Sequence, residues 1–181
     1  MRDKDREFYT ELFIKVANLC EPTNPDIPRF TYPMKRKHVW QTWKQSQSSF
    51  HASLGRFKID SIINPNAQEF VKYAVDLDYF NNSTRERVLT ITVHEVTHIE
   101  EGSHTGGSTH NPNFWNAMIE NGKVVLENLE EIEVMLGPIN VNNFVEEMVD
   151  DPNGSMVDRR VESVDERKNK MFEELKEYKE L

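Results

Sequence analysis

The chain opens on a helical pattern. Between residues 5 and 20, Phe8, Tyr9, Leu12, Phe13, Val16 and Ala17 recur at spacings of three and four, which places them on one side of a helix. The segment Glu21-Pro22-Thr23-Asn24-Pro25-Asp26-Ile27-Pro28 then ends that helix, because its three prolines remove backbone donors and fix φ. From Arg29 to Asn64 aromatic and β-branched residues come in short runs. Phe57 to Ile63 predicts a strand there, with Phe57, Ile59, Ser61 and Ile63 alternating with Lys58, Asp60 and Ile62. Asn64-Pro65-Asn66 closes the strand. Ala67, Phe70, Val71 and Ala74 then return to helical spacing.

A second helix is predicted from Ser83, which with Glu86 three residues on makes a capping box. It runs through Arg87, Leu89, Ile91, Val93, Val96 and Ile99 and stops at Gly102. Its interior is rich in Thr, Val and Ile, which are mediocre helix formers, so packing rather than propensity must hold it. After a loop with Gly102, Gly106 and Gly107, a further helical stretch begins near Pro112. It tolerates a break at Asn121-Gly122 and ends before Gly137-Pro138. From residue 144 onward the chain is charged and poor in apolar residues, apart from Met171, Phe172 and Leu175. The expected organisation is one domain over 1–143 and a charged extension over 144–181, helical or partly disordered.

Composition changes this picture little. The 181 residues contain 37 % hydrophobic and 29 % charged positions, as expected of a chain that buries one core. A net charge of -9 disfavours non-specific attachment to nucleic acid or to an anionic membrane. No run approaches the ~20 apolar residues of a membrane span, and the charged start Met1-Arg2-Asp3-Lys4-Asp5-Arg6 predicts no ordinary secretory signal. The single cysteine, Cys20, admits no internal disulfide, so a reducing, cytoplasmic or otherwise intracellular setting is expected. Cys20 ends an apolar helical pattern and reads as a small buried residue.

The candidate chemistry sits on the second helix. His94-Glu95-Val96-Thr97-His98 is an H-E-x-x-H sequence. On a helix, residues four apart lie one turn above each other, so both imidazoles can reach one ion. Zinc accepts neutral imidazole nitrogen at about 2.0–2.1 Å and takes about four ligands. Glu95 projects to the side of the pair, where it can accept a proton from water without occupying the metal. A third ligand must come from elsewhere, and His104 and His110 are the downstream candidates. His104 follows His98 by six residues, the metzincin spacing, but Glu101 stands where that pattern has glycine. His110 precedes Asn111-Pro112, a cap and a helix-opening proline, with Phe114 and Trp115 behind it.

His94-Glu95-Val96-Thr97-His98, a loop, and then His110-x-x-x-Phe114 resemble the SprT-like and WLM metallopeptidases, in which a third ligand histidine is followed four residues later by an aromatic. The upstream Ile62-Ile63-Asn64-Pro65 is similar to the layout of the same families. The resemblance covers roughly residues 5 to 136, with only the motif residues specific. It implies an α+β, small zincin-like domain: an N-terminal helix, a short and mostly antiparallel sheet, the H-E-x-x-H helix and a closing C-terminal helix, followed by the charged tail. It also implies a Zn2+ cofactor held by His94, His98 and His110, with His104 as the alternative third ligand, and Glu95 as catalytic base. The function it implies is a zinc-dependent peptidase acting on a protein or peptide. Two other readings stand beside it: a catalytically inactive, metal-stabilised binding protein of zincin fold, and a nucleic-acid-associated SprT-like protease.

The last reading has one local support. Between Ile27 and Ile59 there is no Asp or Glu, while Arg29, Lys35, Arg36, Lys37, Lys44, Arg56 and Lys58 supply seven positive charges. Phe30, Tyr32, Trp40, Trp43, Phe50 and Phe57 are interleaved with them. Basic residues among aromatics suit single-stranded nucleic acid. They suit equally a small sheet with aromatic rings inside and lysines in water, and that plainer reading is favoured.

Overall fold

The computed structural model describes residues 5–20, 29–33, 52–58, 69–100, 112–150 and 173–180, with side chains placed over 5–20, 75–97, 114–150 and 173–178. The described elements in chain order are α1 (Arg6–Cys20), β1 (Arg29–Pro33), β2 (Ala52–Lys58), β3 (Glu69–Val75), α2 (Leu77–Asn81) and α3 (Arg85–Glu100). They continue with α4 (Pro112–Glu127), α5 (Leu129–Leu136), α6 (Val141–Asp150) and a terminal 3-10 turn (Lys176–Glu180). Among the described residues, no helix is long and apolar enough to cross a membrane.

Helix α1 forms where the periodicity places it. Asp5 accepts from the Phe8 amide at 3.0 Å and so supplies one of the bonds that a helix start lacks. Tyr9, Leu12, Phe13, Val16, Ala17 and Cys20 then make one continuous buried stripe. Tyr9 extends that stripe to α2 by an edge-on contact with Phe80, centroids 5.1 Å apart, and its hydroxyl donates to Asn81 Oδ1 at 2.7 Å. Cys20 is buried, and its thiol donates to the Asn121 carbonyl at 3.9 Å.

The strands are placed by backbone, in the order β1-β3-β2. β1 runs parallel to β3 and β2 antiparallel to it, with Arg29 and Arg56 both opposite Val71 and Phe57 opposite Phe70. The α+β, zincin-like architecture with a mostly antiparallel sheet is therefore corrected. Among the residues with placed side chains 87 % are helical, and the largest buried ones among them, Trp115, Tyr9, Phe13, Phe80, Phe114 and Phe144, all lie on helices. The described core is thus helical, and the strand pairing is mixed. Two local expectations fail with it. The strand expected over Phe57–Ile63 is β2, which ends at Lys58, and the helical spacing of Phe70, Val71 and Ala74 belongs to β3.

The expected boundary after residue 143 falls inside α6. Phe144, Val145 and Met148 are fully buried, and burying each such side chain stabilises by roughly 1.5–3 kcal/mol. Asn140 caps this helix by accepting from the Asn143 amide at 3.0 Å. Leu175 is also fully buried, and Lys123 on α4 pairs with Glu174 at 3.1 Å, which joins the last described residues to the core. Nor does α4 break at Asn121-Gly122. A Cβ on Gly122 would stand 2.8 Å from Met148 Cε, so the glycine leaves room for the end of that side chain.

Gly137 ends α5 with φ 90° and ψ -176°, a conformation open essentially to glycine alone. A Cβ there would also lie 3.0 Å from Arg85 Nε. Gly137→Ala is expected to lower stability by roughly 1–3 kcal/mol. Urea denaturation checks this, and an unchanged midpoint would show that the turn relaxes without strain.

Candidate metal centre

Helix α3 carries the motif, and its start is fixed one residue later than the capping box predicts. Thr84 Oγ1 accepts from the Arg87 amide at 3.2 Å, and the Thr84 carbonyl accepts from the Val88 amide at 3.1 Å. Ser83 instead donates to the Tyr79 carbonyl at 2.6 Å and closes α2. Glu86 accepts from the Asn140 amide at 3.2 Å, tying the start of α3 to the start of α6. Arg87 meets the Glu147 carboxylate with Nε and Nη2, each at 3.2 Å, a two-point contact between the same helices. The Glu147 hydrogen bond is the main cause that raises the Arg87 pKa above its ordinary value.

Beyond this capped start the helix is enclosed. Every residue from Val88 to Thr97 is buried, and α1, α4, α6 and β2 all lie against α3. Three threonines in this stretch would each bury a hydroxyl at a cost, but each donates back along the helix. Thr90 bonds the Glu86 carbonyl at 2.8 Å, Thr92 that of Val88 at 2.8 Å, and Thr97 that of Val93 at 2.6 Å. β-branched residues can thus fill a helix that propensity alone would not favour.

His94 and Glu95 sit within this enclosure at 1 % and 3 % exposure. His94 Nε2 lies 4.0 Å from Glu95 Oε1, beyond hydrogen-bond range yet bringing ring nitrogen and carboxylate to one locus. The His94 ring packs edge-on against Phe114 in the first turn of α4, centroids 4.9 Å apart and planes at 62°. Phe114 in turn packs on Trp115 at 5.3 Å, and both rings are fully buried. The aromatic pair expected behind His110 therefore supports His94 directly.

The sequence-predicted site residues fall into two sets. His94 and Glu95 are brought together, and the backbone of α3 carries His98 one turn beyond His94, about 6 Å along the axis. The His98 side chain, His104 and His110 lie outside the described residues, as do Lys35, Arg36, Lys37, Trp40, Trp43, Lys44 and Phe50 of the basic stretch. Among the described residues, no three His, Cys, Asp or Glu side chains form a group able to hold a metal. What is described fits a zinc site of this motif in kind: the His94 imidazole as a ligand and the Glu95 carboxylate beside it as the base, both more than nine-tenths buried, in a helix with a second histidine at i+4.

One buried polar contact was not anticipated from the sequence. Asn121 on α4, 3 % exposed, donates from Nδ2 to Thr97 Oγ1 at 3.0 Å. The signal was present, since Asn121 stands on the stripe of Trp115, Met118, Ile119 and Val125, where an apolar residue is expected. Compared with family models, with curated proteins and with solved structures, the chain has no match.

Phe114→Ala is expected to destabilise the chain by about 3–5 kcal/mol, as for other fully buried aromatic rings. Chemical denaturation measures it. A loss below ~1 kcal/mol would mean that the α3–α4 seam closes over the space, and that the ring contact with His94 is incidental.

Proposed function

We propose that the chain is a zinc-dependent peptidase with Glu95 as general base. The observation that carries this reading is the burial of His94 and Glu95 at 1 % and 3 % exposure, at the centre of a helix with His98 at i+4. An imidazole and a carboxylate are expensive core residues, and a leucine at either position would pack at less cost. A metal-dependent reaction gives that expense a purpose. The reading rests on the motif and on this burial, and takes nothing from a particular sheet architecture. The same motif carries the likeness to SprT-like and WLM metallopeptidases.

In this proposal His94, His98 and His110 hold the zinc. His110 stands four residues before Phe114, whose ring touches His94. The likeness of His110-x-x-x-Phe114 to those families, and the Asn111-Pro112 helix start beside it, favour His110, with His104 as the alternative ligand. Zinc bound there supplies Lewis acidity toward a peptide carbonyl and eases deprotonation of water. Glu95 accepts the proton of the attacking water and returns it to the leaving amine nitrogen, so the base is regenerated at each turnover. α1, α4 and α6 enclose the helix that carries both side chains, and Phe114 of α4 packs on the His94 ring. The substrate class is a protein or peptide.

The purified chain should contain about one zinc per molecule, measured by native mass spectrometry or a metal assay. His110→Ala should lose most of it and His104→Ala little. The reverse result would exchange the third ligand, and a parent chain without zinc would overturn the site.

Glu95→Gln should keep zinc and fold while lowering turnover of an unfolded-protein substrate by about 10²–10⁴-fold, because the amide cannot accept a proton. A Gln variant as fast as the parent would remove Glu95 from the mechanism. Zinc binding with no cleavage by either protein would favour a metal-stabilised binding protein instead.

A further inference from the structure

The α3–α4 seam contains a second polar element besides the motif. Thr97 occupies the last position before His98, is fully buried, and uses its single hydroxyl twice. It donates to the carbonyl of Val93, the residue before His94, at 2.6 Å, and it accepts from Asn121 Nδ2 at 3.0 Å. The main-chain carbonyl of Asn121 also receives the Cys20 thiol at 3.9 Å, so α1, α3 and α4 meet at this residue.

An apolar pair at these positions would fill the seam without fixing how far along its neighbour each helix sits. A buried amide–hydroxyl contact has one register. Sliding α4 by a turn, about 5.4 Å, would leave both groups buried without each other. The same slide would carry Phe114 off the His94 ring.

Resting on the zinc reading above, we propose that Thr97 and Asn121 are the positioning pair of the metal centre. They lock the register of α4 against the turn of α3 that bears His94 and His98, and with it the seat of Phe114 on the His94 ring. Neither residue touches the metal or the substrate in this proposal. Their effect is on how well the ligands converge.

The test uses the full chain, with zinc itself as the probe, titrated against a competing chelator. Metal-free thermal stability is measured in parallel. Thr97→Val keeps the shape and removes the hydroxyl, and Thr97→Ser keeps the hydroxyl. Zinc affinity should fall by about tenfold or more in Thr97→Val, the range seen when support to metal ligands is lost, and stay within about twofold of the parent in Thr97→Ser. Asn121→Leu should lower zinc affinity in the same way, and the double variant should lose less than the two single losses combined, because both substitutions remove the same contact.

Parent-like zinc affinity in Thr97→Val would overturn the positioning role while leaving the zinc site standing. So would a loss in Thr97→Ser as large as in Thr97→Val, and should Thr97→Val not fold, Asn121→Leu decides by the same criterion. A parent chain that takes up no zinc overturns the site and this inference together.

Discussion

Helix α3 has no face left for solvent over two turns. Ile91 to Thr97 are seven consecutive buried residues, and at 100° per residue seven positions sweep the full circumference. A helix buried all round must have partners on all sides, and α1, α4, α6 and β2 supply them. Much of the described fold follows from that demand. α1 presents its stripe from Tyr9 to Cys20, α4 brings Phe114, Trp115 and Met118, and α6 contributes Phe144, Val145 and Met148. The threonines are compatible with this position only because each hydroxyl is satisfied within the helix. The same enclosure makes His94 and Glu95 conspicuous.

Much of this was legible in the sequence where one strong period governed a segment. α1 was clear because six apolar positions repeat without interruption from Phe8 to Ala17. α3 was clear as a buried helix for an indirect reason: poor helix formers inside a capped helical pattern imply packing. Its start was misplaced by one residue because Ser83 and Thr84 are adjacent and both able to cap. Thr84 takes the role while Ser83 closes α2, a choice set by the short connection between the helices.

The rest was hidden by averaging or by ambiguity. α6 lies in a stretch rich in Asn, Glu and Asp, so its mean composition suggested a solvated extension. Its three core residues nevertheless share one face, at positions 144, 145 and 148, and a stripe matters more than a mean. In β3, Phe70, Val71 and Ala74 satisfy helical spacing, but Phe70, Val71, Tyr73 and Val75 are aromatic or β-branched, the types that a strand favours. Short apolar runs of this kind do not decide between the two periods. Asn121-Gly122 offers a possible break by composition, whereas α4 runs through it unbroken and Gly122 leaves room for the end of the Met148 side chain.

The candidate site shows why a motif is more legible than the architecture that supports it. His94, Glu95 and His98 are chemically distinctive and fixed in spacing by the helix itself, so three letters of sequence locate them. Their support is neither distinctive nor local. Phe114 is one aromatic among many, and it matters because α4 lays its ring 4.9 Å from His94. Asn121 is separated from Thr97 by 24 residues and donates its side-chain amide to that hydroxyl. It is nonetheless the kind of residue that physical reasoning can isolate, since an amide on an apolar stripe must find a partner or lose stability. Its partner is the residue beside a motif histidine. Hydrophobic burial can hold α3 and α4 together in several registers. A directional contact selects one, and the seating of Phe114 on the His94 ring depends on that selection more than on additional burial.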